Sequence, residues 1–131
     1  MPQEMEHDPD PMETPHGLAA FMFARALVDG HFEKAHQMLA SELREEYTPA
    51  RLRFEYEQMF SYAGTVKADH VQALNGMEAW PAKQDGDVGW AYVSISGPDP
   101  VHGGVCNEAV AVVICEEDCQ LLVREIVWGR P

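Results

Sequence analysis

An aspartate and a histidine stand together at Asp69-His70, with Tyr56 and Met59 upstream and an aromatic pair, Trp90 and Tyr92, two residues apart downstream. A carboxylate or imidazole facing a phenol is equipment for moving a proton beside a carbonyl: one group takes the proton, the other steadies the enolate. Asp69 or His70 would be the base and Tyr92 or Tyr56 the donor, with Tyr62 and Glu108 as further candidates. In an extended strand Asp69 and His70 face opposite ways, so at most one points inward. Val66, Ala68, His70 and Leu74 share one face, which favours His70. The competing reading of His70 is a packed, hydrogen-bonded core residue. Trp90 and Tyr92 share a face with Ser94 and Ser96, giving a surface apolar at one end and polar at the other. That surface would line a pocket or meet a second copy. The expected ligand-binding set is therefore Trp90, Tyr92, His70, Tyr56 and Met59, with Trp80 and Trp128 as further aromatics of the same kind.

Other chemistries find little purchase. The histidines at 7, 16, 31, 36, 70 and 102 offer no ligand pair at i,i+4, so no metal site is expected. No cofactor is expected either, because nucleophile elbow, phosphate loop and nucleotide fingerprint are all absent. Cys115 and Cys119 flank a short turn and are near enough to bridge. A reducing compartment would leave them as free thiols, and nothing basic surrounds them to make a reactive thiolate. Cys106 shares a strand with Cys115 but falls on its opposite face.

Charge narrows the partners. The chain of 131 residues has a formal charge of −13, and five of its acids lie in the first fourteen residues, leaving −8 on the rest. Such a field repels phosphate backbones and anionic membranes, so neither nucleic acid nor membrane is an expected partner. A basic protein or a neutral, small apolar ligand fits better, and acidity also simply keeps a small domain soluble. No secretory leader is visible. Apolar runs such as Ala109–Cys115 are too short to span a bilayer, so a cytoplasmic location is the expectation.

The elements that must position these residues follow from local signals. Residues 1–14 read as a disordered acidic tail and 15–131 as one domain. Thr14-Pro15 starts a helix, with Leu18, Phe21, Met22, the Arg25 stem and Val28 as its buried stripe and Leu27 on the flank. Gly30 stands where a left-handed C-cap is needed. Asp29 is expected to cap a second helix burying Phe32, Ala35, His36 and Leu39, and Ser41 to cap a single turn after it. Thr48-Pro49 opens a third helix burying Leu52, Tyr56, Met59 and Phe60. Strand patterns occupy residues 65–74, interrupted at Asn75-Gly76, then 88–96, 105–115 and 120–128. The expected fold is α+β: three N-terminal helices packed on a curved, mainly antiparallel four-stranded sheet, forming a half-open cone with a pocket at its mouth.

This order, together with Phe21–Leu27 (FMFARAL), Asp29–Ala35 (DGHFEKA) and Val123–Pro131 (VREIVWGRP), resembles the nuclear transport factor 2-like superfamily of cystatin-like α+β cones over roughly residues 16–131. The resemblance implies the cone. It leaves activity open, since such domains include isomerases, dehydratases, cyclases, transport adaptors, immunity proteins and dimeric modules. The Tyr/Asp/Asp arrangement of the isomerases has no residue-by-residue match here. Three functions are thus in view. The foremost is a non-enzymatic module that binds a small apolar ligand or forms a homodimer through its sheet. The others are an isomerase-, dehydratase- or cyclase-type enzyme using His70 or Asp69, and an acidic immunity-type protein that binds a basic partner.

Overall fold

The computed structural model describes residues 10–63 and 66–129. Four α-helices precede four strands: α1 Pro15–Val28, α2 Phe32–Gln37, α3 Ser41–Glu46, α4 Pro49–Met59, then β1 His70–Met77, β2 Asp87–Pro98, β3 Val105–Glu117 and β4 Gln120–Trp128. The strands form one open antiparallel sheet in the order β1-β2-β3-β4. The fold is α+β, with four helices where three were expected. The extra one is Ser41–Glu46, read from sequence as a single turn. Its N-cap is Ala40 and not Ser41, and the N–H and hydroxyl of Ser41 donate to the Glu117 carboxylate at 3.1 and 2.8 Å. Residues 11–13, placed in the tail by their composition, make one turn of 3-10 helix capped by Asp10; residues 1–9 of the expected tail lie outside the described residues.

Local chemistry sets the helix ends. The Thr14 and Thr48 side chains accept the N–H groups of Gly17 and Arg51, both at 3.0 Å, and a proline follows each cap. Gly30 adopts φ +77°. Its N–H reaches the Leu27 carbonyl (3.1 Å) while that of His31 reaches Ala26 (2.9 Å), the paired bonds of a Schellman stop that needs a left-handed residue. Asp29 does not cap α2 as expected; it ends α1 and pairs with Arg25 at 3.2 Å.

One face of the sheet carries the helices. Val93, Ile95, Val110, Val112, Ile114 and Val123 meet Phe23, Leu27, Leu39 and Leu52, all essentially without exposure. The buried side of α1 is His16, Ala20, Phe23, Ala24 and Leu27, whereas Leu18 and Met22 of the expected stripe are 43% and 49% exposed. Nearly every position of α1 is apolar, so periodicity could not choose a side; Ala20 and Ala24, both buried, do, because small residues let the helix approach the strands closely. The free edge of β4 is bridged by Met38–Ala40: Val123 N–H donates to the Met38 carbonyl (2.8 Å) and Ala40 N–H to Val123 (2.7 Å). Covering an edge in this way removes a template for aggregation.

Candidate functional site

Strand alternation decides where each expected site residue lies. Val71 and Ala73 of β1 pair with Ile95 and Val93 on the helix side, so His70, opposite Ser96, points to the helix-free face. Sequence pattern alone points it inward, by counting Val66 and Ala68 in the same strand. The ladder starts only at His70, and faces are set from there. His70 is exposed, with a 3.4 Å contact to Gln72; Asp69 is exposed just before the strand.

Trp90 and Tyr92 occupy the same open face, half-buried, with ring centroids 6.4 Å apart and tilted by 34°. Across β1 they oppose Met77 and Asn75, and across β3 Val113 and Ala111, with Val127 beyond. Met77 and Val127 are 40% and 48% exposed. Ala109, Ala111 and Val113 are already sunk below their larger neighbours. Toward the other end the face becomes polar: Ser94 Oγ donates to Asn107 Oδ1 at 3.1 Å, followed by Ser96, Gln72 and His70. Ser96, opposite His70, is six positions from Trp90 and four from Tyr92 along β2, roughly 20 and 13 Å of strand, so His70 is not in contact with the aromatic pair.

Tyr56 and Met59 are on α4, on the other side of the sheet. Tyr56 is buried against Phe32 and Phe60, with centroids 6.2 and 5.7 Å away. Burial, and then the negative charge of Asp29, push its pKa up to about 12, which keeps the phenol protonated. Trp128 also faces the helices, donating from Nε1 to the Tyr47 hydroxyl at 3.0 Å, with Arg51 stacked 4.6 Å over the Tyr47 ring. The expected ligand set is thus split by the sheet: Trp90, Tyr92 and His70 on one face, Tyr56 and Met59 in the helical layer. A shallow depression of about 860 Å³ between α2 and α4 is lined by His31, Glu33, Lys34 and Arg53, and by none of that set.

Two groupings were not assembled by sequence reasoning. On the helix side of β3, buried Cys106 shares a 2.8 Å hydrogen bond with the Tyr62 hydroxyl, and Glu108 is buried two residues on. The bond to Cys106, burial and then Glu108 raise the Tyr62 pKa, so this phenol holds its proton and latches residues 61–63 to the sheet. Alternation alone would have put Cys106 and Glu108 together; only the fold brings Tyr62 over them. The second grouping is His16, whose ring lies at the β1–β2 edge beside a cleft of about 470 Å³. Its position at a helix start gave no chemical signal. Cys106, Cys115 and Cys119 are all free, and Cys119 lies inside the β3–β4 turn with φ +65°. Among the described residues no helix is long and apolar enough to cross a membrane.

Compared with protein-family models and with curated proteins, the chain finds no match.

Proposed function

We propose that this chain is a non-enzymatic domain of the nuclear transport factor 2-like type, a half-open cone in the cytoplasm, that works as a homodimer through the open face of its sheet. The observation that carries the reading is the helix-free face built around Trp90 and Tyr92, with Met77, Val113 and Val127 beside them. Aromatic rings with a polar hydroxyl or indole edge are the usual anchors of such contacts. Charge supports a second copy as the occupant. The chain carries −13 overall, yet the described residues around the aromatic pair, Met77, Ala111, Val113 and Val127, are uncharged, with the Asp87–Arg124 pair and Glu125 on the same face. A basic partner would be met by acids, whereas two like-charged copies can approach only where charge is sparse.

Size is sufficient if the whole face is used. Four strands about 4.8 Å apart, paired over some eight residues at about 3.3 Å each, project on the order of 500 Å². Side-chain relief and the flanking loops bring this toward the roughly 800 Å² per partner of a stable interface. A pocket function finds less support, because Phe23, Leu27, Leu52 and the core valines fill the space between helices and sheet.

Sedimentation equilibrium over a range of concentrations tests the proposal. The wild-type chain is expected to dimerise with little salt dependence, and Trp90→Glu to be monomeric with an unchanged circular dichroism spectrum. Met22→Glu, on the exposed side of α1, should still dimerise. A monomeric wild type, or dissociation by Met22→Glu and not by Trp90→Glu, would overturn it.

A further inference from the structure

His16 is only 4% exposed. Its ring lies flat against two bare glycines: a Cβ on Gly89 would come within 2.2 Å of ring carbon Cγ, and one on Gly76 within 3.2 Å of Nε2. Neither ring nitrogen has a hydrogen-bond partner among the described residues, yet neither is sealed off. The ring borders the cleft of about 470 Å³ lined by Asp10, Thr14, Leu74, Asn75, Met77 and Glu78. That volume lies within the roughly 300–1,000 Å³ of small-molecule sites.

The free valences in this cleft define its ligand. Thr14 is committed, donating to the Pro11 carbonyl and accepting from Gly17. One Asp10 oxygen holds the Met12 N–H, and the Asn75 oxygen holds that of Gly76. The nearby Lys83 ammonium donates to the Glu78 backbone carbonyl at 2.6 Å. Left over are the Glu78 carboxylate, the second Asp10 oxygen, the Asn75 amide N–H groups and the His16 nitrogens. Burial holds the His16 pKa below its ordinary value, opposed by Glu78, so the ring is a neutral acceptor at neutral pH. The start of α1 contributes about half a positive charge, which two carboxylates outweigh. Carboxylates and phosphates are therefore repelled. Asp10, His16 and Glu78 do not converge as a metal-binding group, which leaves an organic cation with N–H donors, and Leu74 and Met77 supply an apolar wall for its chain.

We propose that this cleft binds a primary alkylammonium ligand, with N–H groups donated to Glu78, Asp10 and a His16 ring nitrogen and the alkyl chain on Leu74 and Met77. It lies at the β1 edge of the sheet and shares Met77 with the open face, so the shifts of His16 and Leu74 decide it independently of dimerisation.

The test is titration of the full chain with n-butylammonium, followed by long-range 1H–15N spectra of the His16 ring and by the Leu74 and Met77 methyl signals. Saturable shifts at these residues are expected, weakened several-fold by Glu78→Gln and unchanged by Glu125→Gln on the opposite face. Tetramethylammonium, which has no N–H, should bind more weakly. Equal shifts from butyrate, wild-type affinity in Glu78→Gln, or no saturable shift at all would overturn the site; equal affinity for tetramethylammonium would overturn the role of His16.

Discussion

Asp87 has a fully buried side chain, and three hydrogen bonds make that tolerable. Arg124 grips it twice, Nε to Oδ1 at 2.7 Å and a terminal nitrogen to Oδ2 at 2.8 Å, and the Gln84 N–H adds a third bond at 2.9 Å. Burial alone would raise its pKa; the bonds from Arg124 and Gln84, with Arg124 and Lys83 charge, outweigh it and hold the carboxyl below the usual range. Arg124→Met should cost about 3 kcal/mol, the low end for orphaning a buried charge because Arg124 itself touches solvent. Urea unfolding at neutral pH measures it. Because the unfolded Asp87 takes a proton more readily, the pair's stabilisation is complete above an ordinary carboxylate pKa of about 3.9 and lost as pH falls through the lower folded value. Arg124→Met should flatten that acid limb. His16 offers a packing counterpart: Gly89→Ala drives a Cβ to 2.2 Å from its ring and should cost about 1–3 kcal/mol, with partial recovery in Gly89→Ala combined with His16→Ala. A cost unchanged in the double variant would show that the ring is not what the methyl meets.

The joints between elements obey local rules. Gly30, at φ +77° with open space where a Cβ would stand, is there for conformation alone, so Gly30→Ala should lose about 1–2 kcal/mol with no change in the spectra of the sheet; thermal melts read this directly. That joint was legible because a left-handed stop leaves a glycine behind in the sequence. The two Thr-Pro starts were legible for a similar reason, as were the four strands and the interruption near Asn75, where the β1–β2 register shifts between Ala73 and Asn75. The buried side of α1 was not legible, because an all-apolar helix has no periodicity to read. Nor was the start of β1: Val66 and Ala68 look like strand residues, and the two that read as its continuation misassigned the face of His70. The β3–β4 turn is tighter than expected, with Asp118 and Cys119 both at positive φ, because the left-handed pair matches the twist of the strands.

At the scale of the molecule, a strongly acidic chain covers one sheet face with helices and leaves uncharged residues around Trp90 and Tyr92 on the other. If that face is where two copies meet, association should persist at high salt, since apolar burial is not screened; dissociation on adding salt would point instead to an electrostatic contact. Sequence alone determined that helices precede strands, the α+β class, the aromatic pair of β2 and the acidity, each written in short-range pattern or composition. Only the tertiary structure decided which residues share a face or a cleft. The sheet separates Trp90 from Tyr56, the helical layer sets Tyr62 over Cys106, and two glycines on neighbouring strands make a seat for His16. Those adjacencies depend on register and on helix rotation, and both are fixed by packing between segments far apart in the chain.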